Sequence, residues 1–217
     1  MVKIKICGLR RAEDIAAVNR FRPDAAGFIC APGFRRSVRV EQLWQLRRLL
    51  DYDIPAAGVF VDQSQDQILA LAGAGLIDLV QLHGSEDEDF IRSLKTRLAS
   101  EEITRARTAR GRPQRVPVIK TFKLSGPKDR EKVRVSPAGY VLLDSGAGSG
   151  RTFNWTWTTD LRREFILAGG LNADNIEKAV RLCHPFMVDV SSGAETDGVK
   201  DPDKIRLCIE AARRAEK

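Results

Sequence analysis

The chain has 217 residues, 43% of them hydrophobic and 30% charged, with a net charge of +7. This ordinary globular composition excludes a disordered chain, and the length suits one barrel of roughly 200–250 residues. No apolar run reaches the ~20 residues that a membrane-spanning helix needs, and the opening MVKIKICGLRR lacks the apolar stretch of a secretion signal, so we expect a cytoplasmic protein with no membrane partner.

The positive charge is local. Residues 97–116 hold six arginines against two glutamates, four of the seven net charges, with no aromatic residue between them for base stacking. That pattern predicts a solvated, mobile loop and no nucleic-acid partner. Cys7, Cys30, Cys183 and Cys208 show no CxxC spacing and read as free thiols rather than a disulfide framework or zinc site. The sequence calls for no metal and no cofactor, and it carries no signal for oligomeric state.

In chain order, eight short apolar runs alternate with amphipathic stretches: residues 2–7, 25–30, 56–61, 79–83, 116–122, 140–144, 165–169 and 187–191. Several are continuously apolar, as strands buried on both faces should be. Helical spacing fills the intervals. Ile15 and Val18 line one side of residues 13–21, and Leu43, Leu46, Leu49 and Leu50 line one side of residues 40–50. Ser64 and Asn172 are the predicted N-caps of the helices that follow them, and Cys208 lies on an amphipathic last helix. Eight βα units in this length predict a single-domain (β/α)₈ TIM barrel of the α/β class, with an open doubly wound sheet as the alternative, because counting strands does not prove closure.

In a barrel, chemistry belongs at the carboxyl ends of the strands. That rule selects Cys7, the segment Phe34-Arg35-Arg36, Asp62, Gln81, His83, Lys120 and Asp144, together with two small-residue segments. AGGLNADN carries Gly169 and Gly170; DVSSGAE carries Ser192 and Gly193. Small residues after strands seven and eight let backbone N–H groups approach an anion, so these are candidate phosphate-binding residues. Asp144, a carboxyl ending an apolar strand, suits a general acid, and Cys7 either packs as a small hydrophobe or serves as a base once ionised.

The segments KICGLR (5–10), GVFVD (58–62), VQLHG (80–84), LLDS (142–145), GSGRTFNW (148–155), AGGLNADN (168–175) and VDVSSGAE (188–195) resemble the phosphoribosylanthranilate isomerase family of tryptophan biosynthesis, in order along nearly the whole chain. The resemblance implies a cofactor-independent isomerase acting on a small phosphorylated substrate by an Amadori rearrangement; the alternatives are another phosphosugar isomerase or epimerase on the same barrel, or a catalytically silent barrel that binds a polyanion through its arginine-rich segment. It implies Cys7 as general base, Asp144 as general acid and Arg36 as the holder of the substrate's carboxylate, with Arg35 as the alternative. Gly170, Ser192 and Gly193 match the phosphate-binding segments. Gln81 and His83 either line the pocket or pack the strand end; Asp189 either faces the pocket or supports a residue that does. Asp62 and Lys120 remain rim residues without a role. The chain departs from the family pattern at CAPGFRRSV (30–38), at Ala147 in the short loop after Asp144, and at residues 97–116, which look like an insertion before strand five on the face away from the site.

Overall fold

Eight parallel strands close on themselves in sequence order, so the open-sheet alternative falls. The computed structural model describes residues 1–124, 126, 129–144, 154–158 and 161–215. The strands are β1 (Lys3–Cys7), β2 (Ala25–Ile29), β3 (Ala56–Phe60), β4 (Leu79–Leu82), β5 (Val118–Lys123), β6 (Tyr140–Asp144), β7 (Phe165–Leu167) and β8 (Met187–Val190). Each lies within a residue or two of its predicted run. The seam joins β8 to β1, with Lys5 opposite Asp189 and Ile6 opposite Val190.

The outer ring comprises α1 (Ala12–Phe21), α2 (Val40–Leu49), α3 (Gln65–Gly73), α4 (Glu88–Leu98), α5 (Glu101–Thr108), α6 (Arg130–Val135), α7 (Ile176–Cys183) and α8 (Pro202–Arg214). Between β6 and β7 the described residues form one 3-10 turn, Trp155–Thr158. After β8 come a second 3-10 turn, Ser192–Ala194, and a small antiparallel hairpin of β9 (Glu195–Thr196) and β10 (Val199–Lys200). Among the described residues no helix is long and apolar enough to cross a membrane.

The large core lies between the strands and the helices, where Phe28, Phe60, Ile15, Leu43 and Cys208 are buried. A separate small cluster of Ile119, Leu142, Ile166, Ala168 and Met187 fills the lumen. Because side chains alternate across a strand, lumen residues recur every second position. Leu142 is thus followed inward by Asp144, and Met187 by Asp189, so the polar site sits one layer above the apolar plug.

Ser64 caps α3 as expected. Its hydroxyl accepts from the Gln67 backbone N–H at 3.4 Å, and the Gln67 side chain accepts from the Ser64 N–H at 3.2 Å. Ser64→Ala is expected to cost about 1 kcal/mol in chemical denaturation, the usual loss for an N-cap hydroxyl. The other expected cap is corrected. Asn175, not Asn172, precedes α7; the Asn172 carboxamide instead accepts from the N–H groups of Asp174 (3.0 Å) and Asn175 (3.2 Å), a turn that leads into the helix.

The arginine-rich segment is also corrected: it is not a mobile loop. Its first arginine, Arg97, lies in α4, and residues 101–108 form α5, capped by Ser100. Arg107 is fully buried and Arg112 nearly so. Arg107 donates from Nη1 to the Ala72 and Ile77 carbonyls, both at 2.8 Å, and from Nη2 to Asp78 Oδ1 at 3.1 Å. Arg112 holds both oxygens of the same carboxylate, and Arg47 reaches it at 3.4 Å. Asp78 directly precedes β4, so this cluster lies at the amino-terminal end of the barrel, away from the strand ends that carry the chemistry. Arg107 and Arg112 can be buried there because one carboxylate and a ring of carbonyls satisfy them, whereas Arg47 Nε is left without a hydrogen-bond partner among the described residues.

Candidate active site

At the carboxyl ends of the strands lies a cavity of about 510 Å³. It is lined by Cys7, Arg35, Arg36, Gln81, His83 and Asp144, with Gly169, Gly170, Asp189 and Ser192 around the same space. Cys7 and Asp144, 137 positions apart in sequence, therefore face one pocket. Its walls are apolar where Ile29, Val59, Val61 and Leu171 contribute. Few polar groups converge in an otherwise apolar cleft, the usual make-up of a small-molecule site.

Asp144 meets His83, whose Nε2 stands 3.4 Å from Oδ2. On the other side of the ring, Gln81 Nε2 lies 3.2 Å from His83 Nδ1 and 3.4 Å from the Thr121 hydroxyl. With the amide donating to Nδ1, the ring proton sits on Nε2, the nitrogen nearer Asp144. Gln81 is therefore a lumen residue that orients His83 rather than a rim contact.

Cys7 is almost fully buried, in the wall of the cavity. Burial pushes its thiol above the ordinary range; Lys5 and Lys200 pull it down and Asp189 pushes it up. Beside it the Lys5 ammonium donates to Asp189 Oδ2 at 2.8 Å, fully out of solvent. Asp189 thus both faces the pocket and supports a neighbour. The Ser191 hydroxyl donates to the Cys7 carbonyl at 3.1 Å, tying the ends of β8 and β1 together.

Arg36 is held as a fork. Its Nε and Nη2 donate to the two oxygens of Glu195 at 2.5 and 2.9 Å. The same carboxylate takes Arg35 Nη2 and Lys200 Nζ, each at 2.8 Å. Burial would raise the Glu195 pKa, but hydrogen bonds from Arg36, Lys200 and Arg35 outweigh it and hold the carboxyl well below the usual range. Three cations on one anion leave the mouth of the pocket positive. Arg35 is half exposed and Arg36 mostly covered, which makes Arg36 the better fixed of the two. Sequence reasoning assigned no role to Glu195, Lys200 or Lys5. The first two lie far from Arg36 and Cys7 along the chain, whereas Lys5 was within reach, since it shares a strand face with Cys7.

The two small-residue segments meet. Gly169 and Gly170 both adopt positive φ, 90° and 66°, a pair of left-handed turns that side chains resist. At Gly193 a Cβ would sit 1.9 Å from the Leu171 carbonyl oxygen, so only glycine lets the turn after β8 lie against the loop after β7. Gly169, Gly170 and Ser192 line the cavity; Gly193 is not among the lining residues and packs the two loops together. Asn175 stiffens this corner by donating to the Gly170 carbonyl at 2.9 Å.

Asp62 and Lys120 belong to a buttress behind His83. Lys120 is buried rather than on the rim, donating to the Gly84 carbonyl at 2.8 Å and to Glu86 at 2.7 Å, while exposed Asp62 accepts from the Ser85 N–H at 2.6 Å. Ala147 and most of the segment GSGRTFNW lie outside the described residues. Among the described residues no group of three or more His, Cys, Asp or Glu is placed to hold a metal ion.

A model of the N-(5'-phosphoribosyl)anthranilate (PRA) isomerase family matches residues 4–211. The chain belongs to the phosphoribosylanthranilate isomerase family. N-(5'-phosphoribosyl)anthranilate isomerases of Endomicrobium trichonymphae and Lacticaseibacillus casei are each 42% identical to it, over 98% of this chain and 99% and 96% of theirs. Among solved structures, the phosphoribosyl anthranilate isomerase of Thermotoga maritima superposes with a TM-score of 0.83 at 32% identity, covering 99% of this chain and 100% of that one. A phosphoribosyl anthranilate isomerase in complex with reduced 1-(o-carboxyphenylamino)-1-deoxyribulose 5-phosphate superposes at 0.81 with 31% identity and the same coverage. The segments KICG and LLD, which resemble that family, carry Cys7 and Asp144, both of which line the cavity.

Proposed function

We propose that the chain converts N-(5-phosphoribosyl)anthranilate to 1-(2-carboxyphenylamino)-1-deoxyribulose 5-phosphate, with Asp144 as general acid and Cys7 as general base. The observation that carries this reading is the convergence of both groups on one cavity whose rim holds the Gly169-Gly170 turn and Ser192. Asp144 protonates the furanose ring oxygen, and the C–O bond opens to a protonated Schiff base. That cation acidifies the adjacent sugar carbon, from which the Cys7 thiolate takes the proton. The enolamine so formed tautomerises to the ketone. The proton balance closes within the substrate and two side chains, so the reaction proceeds without metal or redox cofactor. The reading places the enzyme in the cytoplasm with a small phosphorylated molecule as its partner.

The substrate's phosphate sits against the Gly169-Gly170 turn and Ser192, where positive-φ backbone and small side chains leave room for an anion. Gly193 serves by keeping that corner closed. His83 donates to Asp144 and Gln81 orients His83. Arg36, held in plane by Glu195, offers its remaining N–H groups to the anthranilate carboxylate.

Mixing the protein with phosphoribosylanthranilate and following the decay of the substrate's fluorescence tests the reading directly; absence of turnover by the folded protein rejects it. Arg36→Lys is expected to raise KM roughly tenfold to a hundredfold with a smaller change in kcat, because a charge-assisted fork worth about 1.5–3 kcal/mol becomes a single point charge. An unchanged KM would move the carboxylate contact to Arg35. The polyanion-binding alternative loses its footing in the fold: Arg107 and Arg112 turn inward to Asp78, and Arg105 pairs with Glu101 at 2.5 Å.

A further inference from the structure

Lumen positions of such barrels are normally branched aliphatic side chains. This one holds a lysine and an aspartate, both buried and paired across the seam at 2.8 Å. An ion pair of that kind adds little net stability over a hydrophobic pair, since desolvation offsets the attraction. Asp189 moreover leaves its second oxygen, Oδ1, buried and without a hydrogen-bond partner. A fold built for stability alone would fill the space with carbon. The register explains whom the pair serves: Lys5 and Cys7 are two positions apart on β1 and point into the same lumen, roughly 7 Å apart along the strand.

We propose that Lys5 is a positioning residue for the base: its ammonium, clamped by Asp189, stabilises the Cys7 thiolate that removes the substrate's proton. The inference rests on Cys7 being the base, and it goes further by naming what makes a buried thiol ionise. The charged and titratable groups acting on Cys7 come from each element around it. They are Lys5 on β1, Asp189 on β8, Lys200 on β10 and Arg36 after β2, with the Cys30 thiol at the end of β2. Lys200 is occupied by the Ser191 carbonyl and Glu195, and Arg36 by Glu195. Lys5 alone among the cations shares the strand and face of Cys7. Asp189 has two opposed effects: it keeps the lysine charged in a dry place, and its own charge disfavours a second anion nearby.

These opposed effects give the test. The pH dependence of Cys7 alkylation by iodoacetamide, read by mass spectrometry on the peptide carrying Cys7, reports the thiolate without any substrate. Lys5→Met is expected to move the midpoint upward by about one pH unit or more, a tenfold loss of thiolate at a given pH. Asp189→Asn is expected to move it downward, because the competing anion goes while the Cys7 thiolate itself holds the Lys5 ammonium charged. A packing role would shift both variants in the same direction or neither, and that result overturns the proposal. Should Lys5→Met fail to fold with Asp189 left unpaired, Lys5→Met/Asp189→Asn compared with Asp189→Asn removes the ammonium from a neutral background. An unmoved midpoint there overturns it equally. If alkylation responds as expected while Cys7→Ala remains fully active, the charge relation stands and the assignment of the base falls; the reverse pattern sinks Lys5 alone.

Discussion

Cys7→Ala and Asp144→Asn are each expected to lower turnover of phosphoribosylanthranilate at least about a hundredfold while the barrel stays folded. A positioned proton transfer contributes roughly 10²–10⁴-fold, equivalent to about 2.7–5.5 kcal/mol of barrier. Neither change should unfold the protein. The thiol is small, and the asparagine amide keeps the size of the carboxyl and can still meet His83. Substrate fluorescence at saturating concentration, read beside a thermal melt, separates the two effects; a folded variant with near-parental turnover removes that residue from the mechanism. The same chemistry has a pH signature. The acid must hold its proton while the base must have lost one. Burial pushes the Cys7 thiol upward, so the alkaline limb of the kcat/KM profile belongs to Cys7 and lies above the ordinary thiol range. Beyond that pH the thiolate population saturates, and the need for a protonated acid makes the rate fall with each further rise in pH.

The second large effect is on stability. Asp78→Asn is expected to cost about 3–5 kcal/mol, the range seen when one partner of a buried charge cluster is removed. Asp78 accepts from Arg107 and Arg112, approaches Arg47 and also takes the Ala56 N–H at 3.0 Å. Burial already lowers the pKa of Arg47 and Arg107, with Asp78 opposing that shift. Without the carboxylate, three guanidinium groups would stand uncompensated at the base of β4. For a chain of this size the melting temperature should fall by roughly 6–20 °C. Turnover per folded molecule at low temperature should be unchanged, since the cluster lies at the opposite end of the barrel from the cavity. A melting temperature within a degree or two of the parent would show that the arginines are satisfied by carbonyls alone.

Much of the fold was legible because buried parallel strands announce themselves as short apolar runs, and all eight runs became strands. Closure was not legible, since periodicity says nothing about which strands become neighbours at the seam. The arginine-rich segment misled for a physical reason: charge composition argues for solvent, but Arg107 and Arg112 are buried by a single aspartate some thirty positions earlier. Asn172 misled as a cap because an asparagine that starts a turn and one that starts a helix look alike in sequence. At the site, Cys7 and Asp144 were legible as cavity-lining residues from their position at strand ends together with the family motifs. Glu195 and Lys200 were not, since their roles depend on Arg36 and Cys7 arriving from the other end of the chain. Gly193 carried the right signal, a residue that must lack a side chain, but its neighbour is the Leu171 carbonyl.

The β1–β8 seam has a consequence for how the protein is made. Lys5 and Asp189 are 184 positions apart, as are Cys7 and Ser191, and Arg36 and Glu195 are 159 apart. During vectorial synthesis β1 emerges before the other seven strands of the barrel, so Cys7 waits without the Asp189 clamp on Lys5 and without its tie to Ser191 until β8 has left the ribosome. A nascent chain stalled before β8 therefore carries seven of the eight staves of the barrel but neither the Asp189 carboxylate nor the Ser191 hydroxyl, so the cavity is complete only once β8 has emerged.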